Sequence, residues 1–302
     1  MKSKLALALA VVINLVVVRV LAAQDLGPHF KKIADGIFVR AAKPADSNAG
    51  IIVTSEGVVM IDSGHNPPDS IALSQAIKRL TPLPVRYLIN TEPHSDHTTG
   101  HFIFSPPAVI IAHEGATDSM KQAYNPKRNE KLMAEYPEMR EAFKGFKMIT
   151  PHIEYRQKMT LNLGERTFEL YYLKNVHSEA DTAIWLPRER VLFSAAVAGI
   201  KRFSNLRPFV QIPDMISAMN MMKALNPEVV VPGHGAPGTT KIFDDSIQYY
   251  SLLLERVGKM AKEGKSLETI KKELRMPETD DWSSKERIDT NIEAAYRAVA
   301  GK

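Results

Sequence analysis

Apolar residues along this chain first recur in short bursts between turn residues, which is strand patterning, and only later at helical spacing. Gly36 to Arg40 follows the turn pair Asp35-Gly36, and Ile51 to Thr54 with Val58 to Asp62 reads as a hairpin about Ser55-Glu56-Gly57. From Asp69 to Leu80 the apolar positions Ile71, Leu73, Ala76, Ile77 and Leu80 keep the 3.6-residue period and predict a helix. Val85 to Asn90 and Ala108 to Ala112 are short apolar strands. Residues 114–147, rich in Lys, Glu and Met, predict two helices interrupted at Asn125-Pro126. They read as a surface pair, with a cover over a cleft as the alternative. Strand patterning returns at Lys158 to Leu163, Thr167 to Leu173, Thr182 to Leu186 and Val191 to Ala195. Asp214 to Leu225 is a helix with Asp214 as its expected N-cap, and Val229 to Val231 is a strand. From Lys241 the chain is helical through Ala261, Leu267 to Leu274 and Lys285 to Ala300. Two strand-rich halves, each followed by helices, predict one domain built of two related halves.

The N-terminus departs from this pattern. Lys2 and Lys4 precede an apolar run, Leu5 to Val18, broken only by Asn14 and followed by Arg19 and the small residues Ala22 and Ala23. The run falls short of the roughly 20 apolar residues of a spanning helix. Residues 1–23 are therefore expected to be a signal peptide, which places the protein in the periplasm or outside the cell. Residues 24–302 then form the folded domain, with a helical insertion at about 114–147 and a helical extension at about 241–302. Lys2, Lys4 and Arg19 supply three of the formal net charge of +5, leaving +2 for the remainder. No basic stripe with interleaved aromatics appears, so a small-molecule substrate is expected and nucleic acid is not. With the signal removed, no stable membrane insertion is expected. The chain has no cysteine, so thiolate catalysis, disulfides and thiolate metal ligands are excluded.

Candidate chemistry sits at strand ends. Glu92-Pro93-His94-Ser95-Asp96-His97 follows the strand Val85 to Asn90 directly and packs four possible nitrogen and oxygen ligands into six residues. His177 lies between two strands, in Asn175-Val176-His177-Ser178-Glu179-Ala180-Asp181-Thr182. His234, in Pro232-Gly233-His234-Gly235, directly follows the strand Val229 to Val231, a setting suited to pointing at a ligand rather than to core packing. Lys201, Arg202 and Arg207 read as a solvated basic loop, with an acid-binding role as the alternative. His101 is expected to cap or support the motif, and His29, His65, His113 and His152 to be ordinary loop or surface residues.

These segments resemble the metallo-β-lactamase superfamily, which carries a His-x-His-x-Asp-His loop, a later His before a Gly-Asp-Thr-like stretch, and a Gly-His-Gly. Val58-Val59-Met60-Ile61-Asp62-Ser63-Gly64 also looks like the family's early Ile-Asp-Thr-Gly segment. The resemblance implies a four-layer αβ/βα sandwich with two zinc ions at one edge. One would be held by Glu92, His94 and His177, the other by Asp96, His97 and His234. It also implies that Asp62 orients the motif loop, beside its plainer reading as a strand-end residue satisfying backbone.

Two departures bear on function. Glu replaces the first motif His, which makes Glu92 either a ligand or the mark of a site holding only the second metal. A carboxylate there also suits manganese or iron. The strand at Val191 is followed by Ser194-Ala195-Ala196-Val197-Ala198 instead of the bridging Asp of many members. The pattern is most similar to third-subclass metallo-β-lactamases with Glu at the first motif position. It implies an exported hydrolase of ester, lactone, amide or β-lactam carbonyls in which Asp96 helps to orient an activated water. The alternatives are a periplasmic metal-binding accessory protein with little turnover and an iron-dependent enzyme of the persulfide dioxygenase type.

Overall fold

The apolar runs assemble into two β-sheets in nearly the order in which they occur. The first half of the computed structural model comprises β1 (Phe30–Ala34), β2 (Ile37–Arg40), β3 (Ala49–Thr54), β4 (Gly57–Ile61), α1 (Pro67–Leu80), β5 (Val85–Ile89), α2 (Ser95–Thr98) and α3 (His101–Phe104). It continues with β6 (Val109–His113), α4 (Ala116–Ala123), α5 (Pro126–Glu135), α6 (Pro137–Ala142) and β7 (Ile153–Tyr155). The second half holds β8 (Lys158–Leu163), β9 (Arg166–Leu173), β10 (Asp181–Leu186), β11 (Val191–Phe193), α7 (Ile212–Ala224), β12 (Val229–Val231), α8 (Lys241–Lys262), α9 (Leu267–Glu273) and α10 (Ile288–Ala300). The structure describes residues 25–300 apart from 42, 44 and 45, so the signal segment expected at 1–23 lies outside the described residues. Among the described residues no helix is long and apolar enough to cross a membrane.

Seven strands form one sheet in the order β1 to β7, antiparallel as far as β4 and parallel from β4 to β7. Five form the other in the order β12-β11-β10-β9-β8, with only β11 and β12 parallel. The inner faces meet through Ile37, Ile52, Ile89 and Ile111 on one side and Phe168, Leu170, Ile184 and Phe193 on the other. Fully burying such a side chain is worth about 1.5–3 kcal/mol, so this interface holds the sandwich together. Outside the first sheet, Leu73 and Ile77 of α1 and Phe104 of α3 pack on Met60, Leu88 and Ile110. Outside the second, α7, α8 and α10 bury Met219, Leu253 and Ile292. The result is the four-layer αβ/βα sandwich expected from the sequence.

Several details differ from the sequence reading, each for a local reason. Residues 116–142 form three helices rather than two, because Pro137 starts a helix of its own after Tyr136. The helix expected to begin at Asp214 begins at Ile212, with Gln211 in the capping place and Asp214 in the first turn, where its charge favours the helix dipole. Asn66 caps α1 by accepting from Asp69 N at 3.0 Å, so that helix starts before Asp69. β11 ends at Phe193, because Ala195 turns into a left-handed φ of 53°. β1 and β7 escape the apolar pattern because each is an edge strand with exposed residues.

Candidate metal centre

Every candidate ligand sits just beyond the C-terminal end of a strand, along one rim of the sandwich. β4 delivers Asp62, β5 delivers the loop from Thr91 to His97, and β12 delivers His234, while His177 lies between β9 and β10. The rim is tied across the two sheets, since Thr182 N donates to Thr91 O at 2.7 Å.

Asp62 organises the motif loop from below. Fully buried and in a left-handed conformation (φ 55°), it accepts from Thr91 N at 2.8 Å and from Thr91 Oγ1 at 2.5 Å. Its Oδ2 also lies 2.8 Å from His97 Nδ1. Of the two roles open to Asp62, the orienting one is built here, because His97 is held with Nε2 turned to the rim. Ser63 adds to this by donating N and Oγ to His97 O at 2.9 and 2.7 Å.

Two ligand sets meet at Glu92. Its Oε2 contacts His94 Nδ1 and lies 3.2 Å from His177 Nε2, and its Oε1 lies 3.2 Å from His97 Nε2. His97 Nε2 is 3.5 Å from His234 Nε2, and Asp96 Oδ2 lies 3.5 Å from His234 Nε2 and 3.8 Å from His97 Nε2. Ligands on a tetrahedral zinc with bonds of 2.0–2.1 Å stand ~3.3 Å apart, so these separations match a coordination shell. Glu92, His94 and His177 form one possible metal-holding group, and Glu92, His97 and His234 a second. Glu92 Oε1 is buried yet has no hydrogen-bond partner, an arrangement that calls for a cation.

The electrostatics agree. Burial lowers the affinity of His97 for a proton, but Glu92, Asp62 and Asp96 together outweigh it and raise its pKa to about 10. Burial likewise raises Glu92, and His97 and His177 overcome that and hold it well below the usual carboxylate range. Burial and the charge of His97 push His234 down to about 4, leaving a neutral imidazole with a lone pair to give. A metal ion would supply the positive charge that a proton supplies otherwise.

Some supporting residues went unread in the sequence. Asp181 accepts from His177 N at 2.7 Å and Ser178 N at 2.6 Å, fixing the loop that carries His177. Burial raises Asp181 to about 6, against the charge of His177. Its place in the stretch after His177 was the available signal. Asn48 locks the His234 loop by donating Nδ2 to Pro232 O and Gly235 O, both at 2.7 Å. Gly233 is required by close approach, since a Cβ there would lie 2.9 Å from Ala196 N.

The other histidines divide. His101 is buried between Ile149 O at 2.7 Å and Asn90 Nδ2 at 3.0 Å, the supporting role expected of it, and burial lowers it to about 4. His29 is exposed, and His152 is an exposed loop residue that accepts from Ile110 N. His113 is not a surface residue: it is buried at the end of β6 and stacks on Tyr172 at 3.8 Å. His65 is not incidental either, since its Nδ1 accepts from Ser47 N at 3.2 Å and lies 4.0 Å from Asp96 Oδ2. The helical insertion backs the motif loop, with Arg128 Nη1 donating to Ser95 Oγ at 2.6 Å.

Above the ligands lies a cavity of about 290 Å³, the size of a small molecule. Glu92, His94, Asp96, His177 and His234 line it, together with Ala196 and Ala198 of the segment that follows β11. Arg202 and Arg207 line it too and are half-buried, so they do not form the solvated loop expected of them, and Arg207 Nη1 donates to His177 O at 2.8 Å and lies 3.3 Å from His177 Nε2.

Comparison with known proteins accords with this rim. The family model of the metallo-beta-lactamase superfamily matches residues 42–234. The alpha subunit of 2,4-dinitroanisole O-demethylase from Nocardioides sp. (strain JS1661) is 24% identical over 204 residues, 67% of this chain and 54% of that protein. The chain thus spans about half the length of that relative. Among solved structures, a metallo-beta-lactamase from Pontibacter korlensis aligns with a TM-score of 0.58 at 20% identity, covering 72% of this chain and 96% of that one. The inverting sec-alkylsulfatase Pisa1 from Pseudomonas sp. aligns with a TM-score of 0.71 at 16% identity, covering 89% of this chain and 49% of that one. The chain belongs to the metallo-beta-lactamase superfamily.

Proposed function

We propose that the chain is an exported hydrolase, periplasmic or secreted, that uses two divalent ions, zinc by preference, to cleave the carbonyl of a small ester, lactone, amide or β-lactam. One observation carries the reading: Glu92 stands between two sets of imidazole nitrogens with one oxygen turned to each, on the floor of a substrate-sized cavity. His94, His177 and Glu92 Oε2 would hold one ion. Asp96, His97 and His234, joined by Glu92 Oε1, would hold the other. Glu92 would thus contribute an oxygen to each subsite. Nitrogen and oxygen donors without sulfur suit zinc, and the two carboxylates also accommodate manganese or iron. Bound there, the ions supply Lewis-acid chemistry and lower the pKa of a water.

The chain's own groups do the rest. His97 Nδ1 stays committed to Asp62, which leaves Nε2 as the ligand atom. Burial raises Asp96, but His97 and His234 outweigh it and keep the carboxyl ionised. Partly open to the cavity, Asp96 is the group that accepts a hydrogen bond from the attacking water and orients it. Export rests on the composition of residues 1–23.

Elemental analysis of the purified protein tests the reading, beside Glu92→Ala and Asp96→Ala. About two ions per chain are expected in the parent. Glu92→Ala should lower occupancy of both subsites, and Asp96→Ala mainly of one. Chelation should abolish turnover of 4-nitrophenyl esters, lactones or β-lactams. A parent without metal, or metal content unmoved by Glu92→Ala, overturns the proposal.

A further inference from the structure

Asp96 and His234 stand together in space, yet they hang from different sheets. Asp96 lies on α2, beyond β5 of the first sheet, and His234 lies beyond β12, the edge strand of the second. Their side chains nevertheless approach to 3.5 Å, from Asp96 Oδ2 to His234 Nε2. The loop between β2 and β3, which belongs to no ligand motif, reaches both. Its turn is closed by Lys43 N donating to Asp46 Oδ2 at 3.3 Å and by Asp46 N donating to Lys43 O at 3.0 Å. Ser47 and Asn48 follow, both buried. Ser47 Oγ donates to Asp96 O, while the Ser47 backbone pairs with His234 in an isolated antiparallel bridge. Asn48 N donates to Gly233 O at 2.8 Å, and its Nδ2 to Pro232 O and Gly235 O at 2.7 Å each. His65 adds to the hold, its Nδ1 accepting from Ser47 N at 3.2 Å. Two adjacent residues thus grip the ligand helix of one sheet and the ligand loop of the other.

The sequence separation of these bonds gives them their weight. Losing a bond between neighbours in one loop leaves the loop in place, whereas these join segments 49 and 187 positions apart. Zinc bond lengths vary by only about 0.2 Å, so a coordination shell drawn from two sheets depends on whatever fixes their separation. The other ligand set is fixed differently. Glu92 and His94 share one loop, and His177 is held by Asp181 and by the tie from Thr182 N to Thr91 O at 2.7 Å. Those contacts involve neither Ser47 nor Asn48. Loosening the β2–β3 loop should therefore reach one subsite and spare the other.

From this geometry we infer that Ser47 and Asn48 are positioning residues for the subsite of Asp96, His97 and His234: they set the separation of Asp96 from His234, and with it the affinity for the second ion. The inference rests on the two-ion metallohydrolase reading, and the experiment keeps the two apart. Stepwise zinc affinities are measured by competition with a chromophoric chelator on the parent, Ser47→Ala, Ser47→Thr and Asn48→Ala. The parent is expected to bind two ions. Ser47→Ala and Asn48→Ala should weaken one step at least about tenfold, as lost support for ligands does, and leave the other unchanged. Ser47→Thr keeps the hydroxyl and should restore the parent's affinity. Ser47→Ala, which removes a single hydroxyl, carries the test if Asn48→Ala does not fold. Added to Asp96→Ala, which already lacks a ligand of that subsite, Ser47→Ala should change the remaining step no further. Both steps weakened alike, or neither weakened, overturns the assignment. If the parent binds fewer than two ions, the two-ion reading fails, and crystal structures of the metal-free parent and Ser47→Ala decide the positioning role alone. A separation of Asp96 Oδ2 from His234 Nε2 that widens beyond hydrogen-bond reach in the variant upholds it, and an unchanged separation overturns it.

Discussion

The chemistry of the rim depends on single atoms held in the right direction. Asp62 shows this best: its two oxygens take Thr91 N, Thr91 Oγ1 and His97 Nδ1, and that division leaves His97 Nε2 free to face Glu92 and His234. Asp62→Ala would leave His97 Nδ1 and Thr91 N buried without partners and let the imidazole turn. The expected outcome is a 10–100-fold loss of metal affinity at the subsite containing His97, measured by competition with a chromophoric chelator. An unchanged affinity would mean that packing alone orients the ring. Asp181 does similar work for His177 through two backbone amides, a hold on the loop rather than on the ring.

At the scale of elements, the rim is stiff because short helices lock against their neighbours. Helix α2 carries Asp96 and His97 and is tied to Ser63 through His97 O, and Gly100 joins it to α3, which lies against α1. A Cβ at Gly100 would stand 1.9 Å from Ser70 Oγ and 2.8 Å from Ser63 O, and Gly100 N donates to Ser63 Oγ at 3.1 Å. The glycine is there for close approach, since its φ of −82° is open to any residue. Gly100→Ala is expected to cost about 1–3 kcal/mol, as overpacked sites do, and to lower Tm in a thermal melt. The same variant should bind metal more weakly, because the backbone that must move is that of the ligand helix. A melt unchanged from the parent would show that α1 yields at no cost.

Over the whole molecule, the C-terminal helices are part of the main core and not an appendage. Trp282 is 7% exposed and sits 5.4 Å from the ring of Phe203 and 5.1 Å from that of Tyr249. It fastens the segment bearing Arg287 to the segment bearing Arg202. Trp282→Ala should therefore cost about 3–5 kcal/mol in a denaturant titration, the range for an emptied aromatic site. It should also disturb the cavity wall to which Arg202 and Arg287, 85 positions apart in sequence, both contribute. A loss below about 1 kcal/mol would mean that the C-terminal segment is only loosely docked.

The amino-acid sequence by itself determined the layers of this protein and the inventory of its metal-seeking atoms. Hydrophobic patterning is a local property, so most strand positions, among them those of Ile51, Val59, Ile89 and Phe168, were legible from short apolar runs between turn residues. Acids and imidazoles massed at strand ends were equally legible, because Glu92, His94, Asp96 and His97 share one loop. Only the tertiary structure decided which oxygen of Glu92 meets which histidine, since that depends on side chains brought together from positions 92, 97, 177 and 234. It also decided that His113 is buried and that Arg202 faces the cavity. Neither follows from its own neighbourhood in the chain. Arg287 is the clearest case: nothing near it in sequence bears on metal chemistry, and it reaches the cavity because Trp282 and Ser283 dock the segment that carries it. Local patterns record what each segment needs to bury, whereas a site is a meeting of segments, and the packing of the two sheets and their helices brings about that meeting.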